Sequence, residues 1–169
     1  ISSVVPELNN RFLDAVSKIT GAEPRFFSVI DAERLLDIDV DFPEQVGKDR
    51  LADAIAAAEC YGSPTLVIDM GTATTVGVVT AERKFVGGMI IPGVKTSHRA
   101  LCERASQLSE IDKWEAESIV GRNTKECMQS GVIFGAACMI DGVIDRINDM
   151  FDMPFTIVAT GGMSSVIVP

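Results

Sequence analysis

The chain has 169 residues, of which 47% are hydrophobic and 23% are charged. A chain of this length and composition can bury a sizeable core, which excludes intrinsic disorder and a fibrous repeat. Its 24 acidic and 15 basic residues give a formal net charge of -9. Such an excess of acidic groups argues against binding to the phosphate backbone of a nucleic acid.

The sequence carries no evident targeting signal. No uninterrupted apolar run reaches the roughly 18 residues of a membrane span, and the first residues do not form a secretory signal. The 4 cysteines form no C-x-x-C pair, which indicates reduced thiols in a cytoplasmic protein. Because the chain begins at Ile1 without an initiator methionine, we expect it to be a segment of a longer protein.

The first part of the chain predicts a strand, a helix and a second strand. The opening residues 1–6 are typical of a buried strand, and residues 7–19 have apolar side chains at the three- and four-residue spacing of an amphipathic helix. Residues 25–30 are aromatic and β-branched, which favours a strand. The acidic stretch 37–43 is interpreted as a connection between two lobes.

The second part alternates helices and strands, so the sequence predicts the α/β class. An alanine-rich helix begins at Lys48 and is followed by strands at 65–68, 76–80 and 85–91. The remaining predicted elements are a helix at 96–105, a polar and partly helical loop at 106–120, a long helix from 124 to about 150, a strand at 155–159 and a helix from 163.

The sharpest chemical motif follows the strand at 65–68. It reads Asp69-Met70-Gly71-Thr72-Ala73-Thr74-Thr75. Gly71 allows a tight turn close to a ligand, and Asp69 could hold a cation beside bound phosphates. Thr72, Thr74 and Thr75 offer hydroxyl and amide donors to the phosphate oxygens. The motif resembles the phosphate loops of the actin, heat-shock-70 and sugar-kinase superfamily. A threonine-rich β-turn with a capping aspartate is the structural alternative.

Two further motifs have a possible role in phosphate chemistry. Gly47-Lys48-Asp49-Arg50 places an acidic residue and a planar cation at the start of the alanine-rich helix. Thr160-Gly161-Gly162 joins a predicted strand to a helix, where bare backbone could accept an adenosine phosphate. Each motif alone also suits an ordinary helix start or glycine turn.

Taken in order along the chain, the motifs closely resemble those of the type III pantothenate kinases. The set comprises Gly47-Lys48-Asp49-Arg50, the motif at 69–75, Gly87-Gly88-Met89-Ile90-Ile91-Pro92-Gly93, Gly121-Arg122-Asn123-Thr124, Ser130-Gly131 and Thr160-Gly161-Gly162. The resemblance implies an actin-like ATPase (ribonuclease H-like) fold, with the end of lobe 1 at 1–43 and most of lobe 2 at 44–169. It also implies a homodimer that phosphorylates pantothenate with ATP and Mg²⁺ in coenzyme A synthesis.

The same resemblance assigns roles to individual residues. Asp49 corresponds to the proton acceptor for the pantothenate hydroxyl, and Asp69 to the ligand of a monovalent cation, K⁺ or NH₄⁺. The residues that it assigns to pantothenate are Gly47, Lys48, Arg50 and Thr124. Those that we assign to ATP, from the family and from the motif chemistry, are Gly71, Thr72, Thr74, Gly161 and Gly162.

Two departures from the family pattern keep other functions open. Val40 occupies the position of a substrate-contacting tyrosine, and the sequence starts after the expected D-x-G-N-T phosphate loop, so we expect the 169 residues alone to be inactive. The alternatives are a non-catalytic regulatory or binding relative with the same fold, and a kinase for another small hydroxyl substrate.

The long helix has two possible places in the protein. Its apolar stripe and its closely spaced Gly131 and Gly135 suit either a central core helix or a two-fold dimer interface. The resemblance to a dimeric family favours the interface.

Overall fold

The computed structural model of the protein describes residues 1–3 and 5–168. Within these residues the helices are α1 Asn9–Thr20, α2 Val29–Glu33, α3 Lys48–Tyr61, α4 Val94–Arg104, α5 Thr124–Phe151 and α6 Ser164–Ile167, with short 3-10 turns at Pro6–Leu8 and Pro43–Gln45. The strands are β1 Asp37–Ile38, β2 Thr65–Met70, β3 Ala73–Val79, β4 Lys84–Pro92 and β5 Thr156–Thr160. They form one sheet in the order β1-β4-β3-β2-β5, which confirms the α/β class.

The two strongest helix predictions are confirmed. The alanine-rich sequence forms α3, which ends where Gly62 adopts a positive φ before Pro64. Helix α5 begins after Asn123, whose side-chain oxygen accepts the Glu126 backbone N–H at 3.0 Å. It runs for 28 residues and ends at a left-handed residue, Asp152.

The predicted strand at 25–30 is wrong. Helix α2 begins at Val29 because Ser28 forms a capping box with Asp31, in which each side chain binds the other residue's backbone N–H. The Ser28 hydroxyl and backbone lower the pKa of the Asp31 carboxyl, and Arg25 adds an ion pair at 3.1 Å. Local capping therefore overrides the strand propensity of the preceding aromatic residues.

The acidic stretch 37–43 contains a strand that the sequence did not reveal. Strand β1 pairs in parallel with β4, with Asp37 opposite Lys84 and Ile38 opposite Phe85. The Lys84 ammonium lies 3.4 Å from the Asp37 carboxylate, and this hydrogen bond and charge raise the pKa of Lys84. The charge of Lys84 on β4 thus offsets the acidic side chain of Asp37 and favours the pairing of β1 with β4.

Two other predicted elements differ from the structure. Residues 1–3 and 5–6 contain no strand, and Val4 lies outside the described residues. Residues 106–120 contain no helix, although they are described throughout. Their main-chain groups are instead bound locally or by side chains, as where the Ile111 N–H donates to His98 Nε2 at 3.1 Å.

The chain divides into two compact units. The first comprises Ile1–Thr65 and Gly77–Gly87, and its core includes Leu51 of α3 and Phe85 of β4, both fully buried. The second comprises Leu66–Val76 and Gly88–Pro169. These units differ in extent from the lobes predicted at 1–43 and 44–169, and that lobe boundary stays a prediction.

The core of the second unit forms between β2, β3, α5 and the residues around α6. Its buried members are Ile68, Met70, Val76, Val94, Ile133, Ile140, Met163 and Ile167. The residues of the predicted α5 stripe are all buried or half-buried, and all except Met128 belong to this core or pack against it: Met128, Val132, Ala136, Ile140, Val143 and Ile147. The stripe therefore packs on its own unit, while another face of α5 remains exposed.

Helix α5 is also long and apolar enough to cross a membrane by length and composition, although no uninterrupted apolar run reached that length. Only 17% of its most apolar 18-residue window is buried. Core helices of globular proteins meet the same two criteria, so composition alone does not assign α5 to a membrane.

Candidate functional site

The turn between β2 and β3 is fixed by the start of α4. The Thr72 carbonyl accepts the Gly93 N–H at 3.1 Å and the Thr96 hydroxyl at 2.8 Å. A Cβ at Gly93 would lie 2.7 Å from the Thr72 carbonyl carbon, so only glycine allows this approach. By contrast, Gly71 has room for a Cβ, whose nearest neighbour would be the Ala73 oxygen at 3.6 Å.

The glycine turn after β5 packs against the end of β2. Gly161 has a φ of 88°, and a Cβ there would lie 2.6 Å from the Met70 nitrogen and would overlap the Asp69 carboxylate. The Met163 N–H donates to the Met70 carbonyl at 3.2 Å, which holds the two segments together. The structure therefore brings together Asp69 and Gly161, which are 92 positions apart in the numbering.

These segments enclose a cleft of about 350 Å³. Its lining comprises Met70, Gly71, Thr72, Lys95, Thr96, Arg99, Gly162 and Met163. Thr74 is absent from this lining: it is 1% exposed, and its hydroxyl has no hydrogen-bond partner among the described residues. Thr72, Gly71 and Gly162 are thus the predicted ATP residues that face the cleft.

A second group of predicted residues surrounds the start of α3 in the first unit. The exposed Asp49 carboxylate accepts the Arg50 backbone N–H at 2.9 Å. A Cβ at Gly47 would lie 2.5 Å from Asp49 Oδ1, so the bare backbone leaves room for the carboxylate. The geometry leaves the acidic side chain accessible at the positive end of a helix.

The two cations of this motif have structural partners. The Lys48 ammonium donates to the carbonyls of Glu44 and Val46, each at 3.1 Å, which closes the preceding 3-10 turn. The Arg50 guanidinium lies 5.7 Å from the centre of the Phe85 ring. Burial lowers the pKa of Arg50, and the neighbouring Asp49 carboxylate acts in the opposite direction.

Thr124 lies at the first position of α5 and lines a separate apolar cavity of about 580 Å³. Gly131 and Gly135 line the same cavity, and no atom lies within 4 Å of a Cβ built at either position. His98 forms another part of the wall and is 4% exposed. The glycines therefore widen a groove along α5 and do not contact another helix within the described chain.

The arrangement of possible metal-binding side chains can be read from the described residues. Among residues 1–3 and 5–168, no group of three or more histidine, cysteine, aspartate or glutamate side chains is suitably placed for a metal ion. The half-buried carboxylate of Asp69, beside the exposed backbone of the glycine turn, can supply part of a cation site.

Sequence reasoning missed the part of the cleft that α4 provides. Lys95, Thr96 and Arg99 line the cleft and were not singled out as site residues. Gly93, which binds the Thr72 carbonyl without lining the cleft, was recognised only as part of a motif. The spacing of four between the two cations places them on one face of α4. That signal is weak in the sequence, because only tertiary contacts such as the Gly93–Thr72 hydrogen bond place the start of α4 beside the β2–β3 turn.

The chain is similar to known proteins over nearly its whole length. A family model described as type III pantothenate kinase matches residues 1–146. A type III pantothenate kinase of Nocardia farcinica is 47% identical over 77% of this chain and 50% of its own. That of Streptomyces coelicolor is 36% identical over 99% of this chain and 64% of its own. The chain thus spans between half and two thirds of the length of these curated relatives.

A solved structure supports the fold alone. It is that of a conserved Campylobacter jejuni protein assigned to the Baf family of transcriptional activators. The two structures match with a TM-score of 0.59 at 19% sequence identity, over 97% of this chain and 67% of the other.

Replacing Gly161 with alanine should disrupt the contact with Asp69, because the new Cβ would overlap the backbone of β2. The positive φ of this residue adds conformational strain. We expect Gly161→Ala to lower the free energy of unfolding by about 2 kcal/mol or more, measured by urea denaturation. Gly162→Ala is the matched control, since nothing lies within 4 Å of its Cβ, and it should change stability by less than about 0.5 kcal/mol. Equal effects of the two changes would contradict this account.

Proposed function

Because this chain belongs to the type III pantothenate kinase family, we propose that the whole protein transfers the γ-phosphoryl group of ATP to pantothenate. The product would be 4'-phosphopantothenate, the first intermediate of coenzyme A biosynthesis. Phosphoryl transfer requires mainly positioning, charge neutralisation and an oriented nucleophile, and it needs no unusual reactive side chain. We place the reaction in the cytoplasm.

The observation that carries this proposal is the packing of the Gly161 turn against the Asp69 end of β2. It places two predicted ATP-binding segments around one cleft, with Thr72 and Gly162 both in its lining. We propose that Thr72 and the backbone of Gly71 contact the phosphates, and that Gly161 and Gly162 accept the adenosine side of the nucleotide. Thr74, buried in β3, would support the turn from behind.

Asp49 is the proposed proton acceptor for the substrate hydroxyl. Its carboxylate is exposed and oriented by the Arg50 N–H, and the absence of a side chain at Gly47 leaves space beside it. We propose that Lys48 and Arg50 shape the pantothenate loop, Lys48 by closing the turn before α3. The Thr124 hydroxyl would provide a further substrate contact at the head of α5.

Two cations accompany the proposed reaction. Mg²⁺ bound to ATP would neutralise phosphate charge, since phosphate and water oxygens are ligands that this ion prefers. The carboxylate of Asp69 would bind K⁺ or NH₄⁺ together with backbone carbonyl oxygens. In this role Asp69 keeps a positive charge beside the Gly71–Thr72 turn.

We propose the actin-like, ribonuclease H-like arrangement of two lobes for the whole protein. Residues 1–43 would end the first lobe and residues 44–169 would form most of the second. The five-stranded mixed sheet with flanking helices is compatible with this assignment. The chain also shares its fold with the Campylobacter jejuni structure, over 97% of the chain.

The residue at position 40 favours one alternative function, a kinase that acts on another small hydroxyl substrate. Val40 is half-buried, and a Cβ at Gly87 would lie 3.9 Å from its Cγ1, so it provides apolar packing but no hydroxyl. A kinase for another small hydroxyl substrate would use the same phosphate residues with this altered wall. A non-catalytic regulatory relative is the remaining alternative, and turnover by the whole protein would exclude it.

We also propose a homodimer formed through α5. The groove along Cys127, Gly131, Gly135 and Met139 is apolar, and these residues remain exposed within this chain. A second copy of the same helix could approach closely there, because both glycines leave open space. An isologous contact would bury the same groove on both subunits.

Asp49→Asn tests the proposed reaction directly. In the full-length protein, supplied with ATP, Mg²⁺, K⁺ and pantothenate, it should preserve ATP binding and lower kcat by about 100-fold or more. Asp41→Asn is the control, since Asp41 is an exposed acidic residue outside the motif, and it should keep normal turnover. Near-normal turnover in Asp49→Asn would refute the assignment.

Asp69→Ala tests the cation site. The full-length protein should be faster in potassium or ammonium buffer than in sodium buffer, because Asp69 places the larger cation beside the phosphate turn. The variant should lose this dependence and most of its ATP affinity, whereas Asp112→Ala, which removes a carboxylate paired with Lys125, should retain both. Identical wild-type rates in sodium and potassium would count against the site.

Gly135→Glu tests the dimer. A charged side chain in the apolar groove should produce monomers and weaken pantothenate binding more than ATP binding, as measured by light scattering and calorimetry. Ala100→Glu, which adds the same charge at an exposed position of α4 outside the groove, should remain dimeric. A wild-type full-length protein that is monomeric at micromolar concentration would refute the proposed dimer interface on α5.

A further inference from the structure

On the basis of the proposed kinase function, we infer that Arg99 is a phosphate-binding residue for the nucleoside triphosphate, assisted by Lys95. Both residues line the cleft beside the β2–β3 turn, together with Gly162 and Met163. They therefore border the same space as Gly71 and Thr72, the residues proposed to contact the phosphates.

Two hydrogen bonds to the β2–β3 turn fix the position of this part of α4. The Gly93 N–H and the Thr96 hydroxyl both bind the Thr72 carbonyl, at 3.1 Å and 2.8 Å. Lys95 and Arg99 flank Thr96 on the same helix, and Arg99 follows Lys95 by one helical turn. Two hydrogen bonds to the Thr72 carbonyl thus hold the helix that carries both cations beside the β2–β3 turn.

The charges of this region favour an anion. Lys95 and Arg99 have the same sign at a spacing of four, an arrangement that is unfavourable on a helix unless an anion lies nearby. The first turn of α4 contains no acidic residue. Within the described residues neither cation forms an ion pair with a carboxylate. In a protein of net charge -9, this cleft is therefore a local site for a phosphate group.

The two cations differ in how they are held. The Lys95 ammonium lies 5.7 Å from the centre of the Trp114 ring, so an aromatic contact already restrains it. Arg99 is exposed, and its planar guanidinium can donate two parallel hydrogen bonds to phosphate oxygens. We therefore assign the direct contact to Arg99 and a supporting electrostatic role to Lys95.

The experiment measures equilibrium binding of ATP, ADP, AMP and inorganic phosphate to the full-length protein by calorimetry, with Mg²⁺ present and pantothenate absent. Because Arg99 is exposed, we expect Arg99→Gln to raise the Kd of ATP by about three- to tenfold at low salt. The effect should shrink as the salt concentration rises, because salt screens exposed charges. AMP binding should change least, and Arg99→Lys should recover part of the loss.

Arg104→Gln is the matched control, because Arg104 lies in the last turn of the same helix and is absent from the cleft lining. It should leave the Kd of ATP within about twofold of the wild type. An ATP Kd for Arg99→Gln that is also within about twofold of the wild type would overturn the inference. Equal losses in the two variants would overturn it as well, since they would reflect net charge and not a site.

The binding measurement separates this inference from the proposed function. A wild-type protein that binds ATP through Arg99 but forms no phosphopantothenate would refute pantothenate kinase activity and leave the Arg99 site standing. A wild-type protein that binds none of the four ligands would overturn both. The KM of pantothenate should stay unchanged in Arg99→Gln, which a general loss of structure would not allow.

Discussion

The close approach of two glycines to the β2–β3 turn is the constraint on which the candidate site depends. Gly93 contacts the turn and Gly161 contacts the end of β2, and a Cβ at either position would overlap main-chain atoms. Gly93 has an ordinary extended conformation, so its need for glycine is purely spatial. Gly161 also has a φ of 88°, which adds a conformational requirement. Without both contacts, segments distant in sequence would not share a cleft.

A closely approaching glycine also lies beside each of the two proposed functional carboxylates, those of Asp49 and Asp69. Asp49 has Gly47 beside it and Asp69 has Gly161, and in each case a side chain on the glycine would collide with a carboxylate oxygen. The space left by the two glycines thus helps to determine where these acidic groups lie. This arrangement suits chemistry that depends on the position of charge.

The sequence predicted the parts of the structure that depend on local patterns. Helices α3 and α5 follow from alanine content, apolar periodicity and the Asn123 cap, and the phosphate motif lies at the end of β2 as expected. The residues around Ser28 were misread because capping side chains outweighed strand propensity. Strand β1 was missed because its stability depends on pairing with β4, and Lys84, its partner in charge, is distant in sequence.

The candidate site was only partly predictable for the same reason. Asp69 and Thr72 can be recognised from the seven-residue motif at 69–75 alone. The importance of Gly93 arises instead from its contact with the β2–β3 turn, which the sequence does not show. Thr74 is chemically suitable for phosphate but occupies a buried position of β3, because successive residues of a strand point to opposite faces. The type of a residue can indicate a candidate ligand-binding group, but tertiary contacts determine whether that group is accessible.

The doubly bound carbonyl of Thr72 has a consequence for the thermodynamics of ligand recognition. A carbonyl oxygen has two lone pairs, and here one is used by the Gly93 N–H and the other by the Thr96 hydroxyl. The adjoining peptide plane therefore has little rotational freedom before any ligand arrives. A ligand that binds such a turn loses little of its affinity to ordering the protein, because the conformational entropy of the loop was already lost during folding.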